Sequence, residues 1–365
     1  MKTRQKGKRH TLLQISVLIV LAGFIAGCTA GTPKAMPTTT TASTAIALEP
    51  TSPGPTNTPR PTPTPTESPL GSPTNPISLA FILLPEDTSA IDAAQEVALI
   101  LSEESDLSVE SVIYPDFISL STAILNGDVD LFWLQPLEYL YLHNENAADL
   151  MLVTNHLGVN AYGVRFLANV ERGFQTYYDS ELNESFGDPV AALQQFAGTR
   201  PCFLNPDSLP GYYAPLGLLG TTSTPIQDPI FVYDYSAIVR ALYINGICDF
   251  GVSYALTGDA RTAGDVVLDL PDASDVVQVV WQSDGIIPNQ SLSSSPTLPL
   301  NLQVRLEEAF LDLEDAPDGL ARLSTALNYE VEALKDELDQ FFDPLRSALA
   351  PLELDLTAIT RQTAE

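Results

Sequence analysis

The 365-residue sequence is short of positive charge: 17 Lys and Arg stand against 46 Asp and Glu, a formal net charge of −29 at pH 7. Seven of the cations but only two of the acids (Glu49, Glu67) fall in residues 1–75. That leaves ten basic against 44 acidic residues for the rest of the chain. Such a body repels phosphate backbones and anionic lipid, so nucleic acid and charged membrane surfaces are disfavoured as partners. Histidine is scarcer still, with three in the chain, and neither His143 nor His156 belongs to a metal-spaced cluster or a nucleophile motif. His143 reads as a solvated helix end. A phosphate-cradling Gly-rich loop is also missing, because "GLLG" (217–220) is too short and too apolar to serve as one. These shortages argue against an enzyme, a resident metal or a cofactor.

Long apolar runs are equally rare. The longest spans Leu12 to Ile25 and follows Lys2, Arg4, Lys6, Lys8 and Arg9, the charge-then-apolar order of an export signal. It ends in "IAGC" (25–28), which resembles a bacterial lipobox; that resemblance implies cleavage before Cys28, removal of residues 1–27 and lipidation of the Cys28 thiol. Residues 28–76 are rich in Pro and Thr, carry no apolar period and cannot bury a core. In extended polyproline geometry, at roughly 3.1 Å per residue, this stretch reaches on the order of 100 Å and reads as a disordered tether. The expected address is the outer face of a bacterial membrane. With Cys28 lipidated, Cys202 and Cys248 remain as an even pair in an oxidising compartment; a disulfide between them is expected, two separate buried thiols being the alternative.

What the body does contain is a repeated joint. "ILNGDVDLFW" (124–133) and "YINGICDFGV" (243–252) each place Asn-Gly-x-x-Asp between an apolar helix pattern and an apolar run. Gly or Asn past the last helical turn takes the left-handed bend that closes a helix, and the run after Asp130 or Asp249 reads as a buried strand. Two such joints predict two α/β lobes. Residues 77–155 alternate strand and helix patterns, predicting a doubly wound parallel sheet. The chain leaves this lobe at "NAYGVRFLAN" (160–169), and a last run, 275–284, reads as the return. From Leu300 the tail reads as outer-layer helices, "YEVEALKDELDQFF" (329–342) among them. The expected domains are lobe I, residues 77–162 plus 277–365, and lobe II, residues 163–276. Two crossings make a hinge, with a shared crevice at the strand ends.

The stretches "FILLPEDT" (81–88), "GDVDLFWLQPLEYL" (127–140), "LNPDSLPGYYAP" (204–215), "NGICDFGVSY" (245–254) and "WQSDGIIPNQSL" (281–292), in this order, resemble the phosphate/phosphite/phosphonate-type substrate-binding proteins of bacterial ABC transporters. The resemblance implies a two-lobed, periplasmic-binding-protein-like clamshell that hands a small solute to a membrane permease. The family commonly reads Ser-Thr-Ser-Gly-Tyr where this chain has Ser208, Leu209, Pro210, Gly211 and Tyr212, so two oxyanion-binding hydroxyls are gone. Its Tyr-x-Ser crossover here reads Tyr162, Gly163, Val164; Trp133 and Tyr212 keep the pattern, and Gln135 replaces a small Gly. The expected ligand contacts are Trp133, Gln135, His156, Tyr162, Ser208, Gly211, Tyr212 and Tyr254. A surface module that senses a ligand without a transporter shares all these features.

The crevice segments (85–88, 114–117, 133–139, 156–163, 206–213 and 253–258) hold no Lys or Arg but include Glu86, Asp87, Asp116, Glu138 and Asp207. Low-dielectric walls strengthen the field of such carboxylates, and aromatic faces attract cations. The expected solute is therefore small, organic and neutral, zwitterionic or cationic. An aminoalkyl phosphonate meets both this and the resemblance.

Overall fold

The computed structural model describes residues 68–362. The expected export signal, Cys28 and nearly all of the expected tether lie outside the described residues. Among the described residues, no helix is long and apolar enough to cross a membrane.

The first lobe opens with β1 (Ile77–Ile82), α1 (Thr88–Ser105), β2 (Val109–Tyr114), α2 (Phe117–Asn126), β3 (Leu131–Leu134), α3 (Pro136–Asn144) and β4 (Asp149–Asn155). Short capping acids start its helices: Asp87 accepts the Ala90 N–H before α1, and Asp116 accepts the Ser119 N–H before α2. The second lobe follows with β5 (Ala161–Asn169), a small hairpin of β6 (Tyr178–Asp179) and β7 (Glu184–Ser185), α4 (Pro189–Gln194), β8 (Pro201–Phe203) and α5 (Ala214–Thr221). It continues through β9 (Ile230–Phe231), α6 (Tyr235–Ile244), β10 (Phe250–Ala255), α7 (Gly264–Asp269), α8 (Ala273–Val276) and β11 (Val277–Gln282). The chain returns through β12 (Ile287–Pro288), β13 (Ser291–Ser294), α9 (Leu300–Leu311), α10 (Gly319–Leu327) and β14 (Ala333–Asp336), and ends in α11 (Asp343–Leu349) and α12 (Leu356–Gln362).

The two sheets have the orders β14-β4-β13-β3-β1-β2 and β11-β5-β10-β8-β9. The first is mixed, not wholly parallel as its local pattern predicts: β13 inserts antiparallel between β3 and β4. Its partner residues lie 138 to 163 positions away, beyond the reach of any local period. The second lobe also runs further than residue 276. β11 pairs antiparallel with β5, so the return begins after Gln282. A third correction falls on 329–342: β14 lies at the edge of the first sheet against β4, and a single 3₁₀ turn, Asp339–Phe342, replaces the expected helix. Glu, Ala, Leu and Lys favour helix locally, but pairing with β4 and burial of Leu334 override that preference.

Both joints form, and each aspartate has the same task. Gly127 takes the left-handed bend after α2 (φ 79°), and the Asp130 carboxylate accepts the Ser78 backbone N–H at 2.9 Å and the Ser78 hydroxyl at 2.8 Å. After α6 the bend falls on Asn245 (φ 57°); Asp249 accepts the Arg200 N–H at 2.8 Å and pairs with Arg172 at 2.6 Å. Ser78 is the second residue of β1 and Arg200 precedes β8, the parallel neighbours of β3 and β10. Each joint thus pins an entering strand to the strand beside it. Next to the second joint, Cys202 and Cys248 are joined by a disulfide with Cα atoms 5.7 Å apart.

The crossings, residues 156–161 and 283–290, are laced together. Ile286 donates its N–H to the Tyr162 carbonyl at 3.0 Å, and Asn289 donates to the Asn160 carbonyl at 2.9 Å. The buried Asn289 amide also donates to the Val159 carbonyl at 2.7 Å. A Cβ at Gly163 would lie 2.6 Å from the Ser283 carbonyl oxygen, so the close approach of the two crossings requires glycine at this position.

Candidate ligand-binding site

Two helix starts face each other across the lobes. In the first lobe, Pro136 opens α3, where its missing N–H costs nothing, and the Glu138 carboxylate reaches back to accept the Gln135 backbone N–H at 2.8 Å. In the second, Ser208 accepts the Gly211 N–H at 2.9 Å and starts a π-helical turn, Leu209–Tyr213, that runs into α5. Gly211 is required there, because a Cβ would collide with the Leu204 side chain. Between the two starts lies a cavity of about 280 Å³, bounded by Gln135–Glu138 and Tyr162 on one side, by Asp207, Leu209 and Pro210 on the other, and by Thr360. A second cavity of about 210 Å³, walled by Ile82, Trp133, Gln290, Ala326 and Leu327, shares Gln135 and Glu138 with the first. Neither lining includes Lys or Arg.

Glu138 is the ionisable group common to both cavities. Protein surrounds most of its carboxyl, and this burial pushes it up to about 7, against the opposing pull of the Gln135 N–H. Tyr162 continues the polar wall, with further phenols behind it. Burial raises Tyr162, with Tyr235 and Tyr329 close enough to add to the effect. Burial also pushes Tyr329 up to about 12, with the Thr154 hydroxyl acting in the opposite direction. Tyr235 meets Tyr254 edge-on at 5.1 Å, and its phenol, raised by burial, has the Ser208 hydroxyl as a hydrogen-bond neighbour that acts in the opposite direction. The Trp133 indole N–H and the Gln290 side-chain carbonyl are buried without partners. Buried polar atoms are rarely left unpaired, and unpaired groups clustered at a cavity are placed to meet a ligand.

The structure gathers some of the expected contacts and disperses others. Gln135 and Tyr162 line the main cavity, Ser208 and Gly211 shape the helix start at its edge, and Trp133 lines the smaller cavity while packing edge-on against Phe310 at 5.9 Å. His156 lines neither: its Nδ1 lies 2.9 Å from the Glu330 carbonyl and its ring packs on Tyr329 at 4.5 Å, so it supports the loop that presents Tyr329. Tyr212 packs edge-on against Phe203 and Phe231, and Tyr254 backs Tyr235 without lining either cavity. His143 is no solvated surface residue; it stacks on Tyr139 and lies 3.3 Å from Asp339. Gln290 and Thr360 line the cavities although no sequence pattern points to them, and Tyr235 and Tyr329 line neither but lie close enough to Tyr162 to raise its phenol. For Tyr235 the signal was Asp234, whose side chain accepts the Ala237 N–H and marks a helix start. A buried cation, Arg165, lies behind Tyr254 but is committed to Asp259 at 3.1 Å and to Gln282.

Among the described residues, no group of His, Cys, Asp and Glu is arranged to hold a metal ion. Two α/β lobes, joined by paired crossings around a shared cavity, define a clamshell of the periplasmic-binding-protein class. Residues 81–337 match the family described as "ABC transporter, phosphonate, periplasmic substrate-binding protein", and the chain belongs to it. That is a family of transporter binding proteins, not of enzymes. The chain is 26% identical over 218 residues to the phosphate-import protein PhnD of Mycolicibacterium smegmatis, covering 55% of this chain and 61% of that one. Among solved structures, XAC2383 from Xanthomonas citri bound to chloride ion superposes with a TM-score of 0.50 at 14% identity, over 78% of this chain and 99% of that one. PhnD1 from Prochlorococcus marinus in complex with methylphosphonate gives 0.46 at 12% identity, over 76% and 97%. At 14% identity the likeness to the Xanthomonas citri structure extends to the fold alone.

Proposed function

We propose that the chain is the solute-capturing component of an ABC importer, held at the outer face of the membrane by lipid on Cys28 and spaced from it by residues 28–76. Its solute is a small zwitterion of the aminoalkyl phosphonate type. One observation carries the reading: the cavity between the lobes pairs two helix starts with the Glu138 carboxylate, and its lining has no Lys or Arg. Helix N-termini favour an anionic head through free N–H groups and the helix dipole, without a fixed cation. Glu138 and Asp207 then favour an ammonium group, and Tyr162 offers a face or a hydroxyl. Its partner is an ABC permease that reads the closed form.

Calorimetric titration with inorganic phosphate, methylphosphonate, 2-aminoethylphosphonate and simple alkylamines tests the solute. The zwitterion should bind most tightly. Binding of methylphosphonate in preference to both amine-bearing classes would overturn the charge argument. The anchor has its own test: a Cys28→Ala chain should leave the membrane fraction, and one that stays anchored would refute lipidation at that thiol.

A further inference from the structure

Residues 339–362 lie beyond the family match, which ends at 337, and they touch both lobes. The segment is first tied to the first lobe. Asp339 accepts the Tyr139 hydroxyl of α3 at 2.8 Å, lies 3.3 Å from the His143 Nε2 and pairs with Arg346. It then crosses to the second lobe, where α11 packs on α5. The seat there is "GLLG", the motif that binds no phosphate. A Cβ on Gly217 would run into the Ala348 carbonyl, and one on Gly220 would come within 2.8 Å of Pro351. Two glycines three apart on one helix face therefore let the backbones of the segment and of α5 approach closely. Finally α12 returns to the first lobe, packing on α2 and α3, and places the buried Thr360 in the wall of the solute cavity.

We infer that residues 339–362 are a latch that holds the lobes closed over the cavity and limits how fast solute enters and leaves. Rotation about the two crossings would carry α5, with α11 on it, away from α3, with α12 on it. Only Glu353–Asp355 separate the last turn after α11 from α12, and three extended residues span roughly 10 Å at most. Opening beyond that slack requires α12 to leave α2 and α3. The latch is a two-state element acting on the closed form, so its release sets the population open to solute. The consequence for solute exchange rests on the importer reading; the mechanical claim does not.

The test uses the chain in a Cys28→Ser background, with spin labels on Leu99→Cys in α1 and Leu268→Cys in α7, both well exposed. Two variants follow: a chain ending at Asp355, and the full-length Leu356→Asp, which puts a charge where α12 docks. Both should lengthen and broaden the interlobe distance distribution, and both should raise the association and dissociation rates for 2-aminoethylphosphonate by about tenfold or more. Unchanged distances and rates in the variants would overturn the latch, and if the shortened chain fails to fold, Leu356→Asp alone decides. Should the intact chain bind none of the phosphonate, phosphate or amine probes, the solute reading falls by itself, and the distance measurement still decides the latch.

Discussion

Glu138 closes the first turn of α3 on Gln135, its carboxylate accepting the Gln135 backbone N–H at 2.8 Å, while both side chains face the same two cavities. Burial pushes the Glu138 carboxyl up to about 7 from an ordinary 4.5. Between those values the unfolded chain has lost this proton and the folded chain has kept it. The folded state therefore loses stability as pH rises through the window and regains it as pH falls. Glu138→Gln keeps an acceptor for the Gln135 N–H and removes the titration. Denaturant unfolding at about pH 5 and pH 8 should show a smaller decline with rising pH in the variant than in the parent chain. Equal declines would mean that the carboxyl titrates normally.

The disulfide between Cys202 and Cys248 closes a 46-residue interval in the second lobe. In the chain-entropy view, a loop of that length restricts the unfolded ensemble by about 4 kcal/mol. The double variant Cys202→Ala/Cys248→Ala should lose roughly that much in denaturant unfolding while the first lobe stays folded. A loss under about 1 kcal/mol would show that the bridge only decorates a pair of strands already held by β8–β10 pairing.

Asp130 offers a sharper test of the repeated joint. Asp130→Ala leaves the Ser78 N–H without its partner at the start of β1, a loss of about 1–3 kcal/mol for a buried donor. Asp130→Asn retains an acceptor oxygen and should recover part of that loss. If alanine and asparagine behave alike, the aspartate does not pin the strand.

That joint was legible in the sequence because everything that makes it is local: an apolar helix, a residue tolerant of the left-handed bend, and an acid ahead of a buried run. The alternation of strand and helix was legible for the same reason. Features set by distant partners were hidden. Nothing near Ser291–Ser294 announces insertion between β3 and β4, and nothing near Ala333–Asp336 outweighs its helix-forming composition until β4 is present to pair with it. The site followed the same divide. Gln135 and Tyr162 sit at a strand end and a crossing, where a pattern points to them. Gln290 and Thr360 arrive from far along the chain, through a crossing and a C-terminal helix that no motif marks. Tyr212 and Tyr254 were misplaced because an aromatic at a strand end or helix start packs inward as readily as it lines a crevice.

The last prediction concerns the Tyr235 hydroxyl, which is buried beside Tyr254 with the Ser208 hydroxyl as its hydrogen-bond neighbour. A hydrogen bond that serves only the fold contributes about 1 kcal/mol net to stability, whereas a hydroxyl that meets solute contributes to affinity. Burial raises the phenol, so it remains a neutral donor throughout the physiological range. Tyr235→Phe removes the oxygen and keeps the ring that packs on Tyr254. If the hydroxyl meets solute, the variant should bind 2-aminoethylphosphonate about tenfold or more weakly while its melting temperature stays close to that of the parent chain. A purely structural hydroxyl would give the opposite pair of results: a lower melting temperature and an unchanged affinity. Thermal unfolding and calorimetry on the same preparation separate the two, because one deleted atom then changes either affinity or stability, not both.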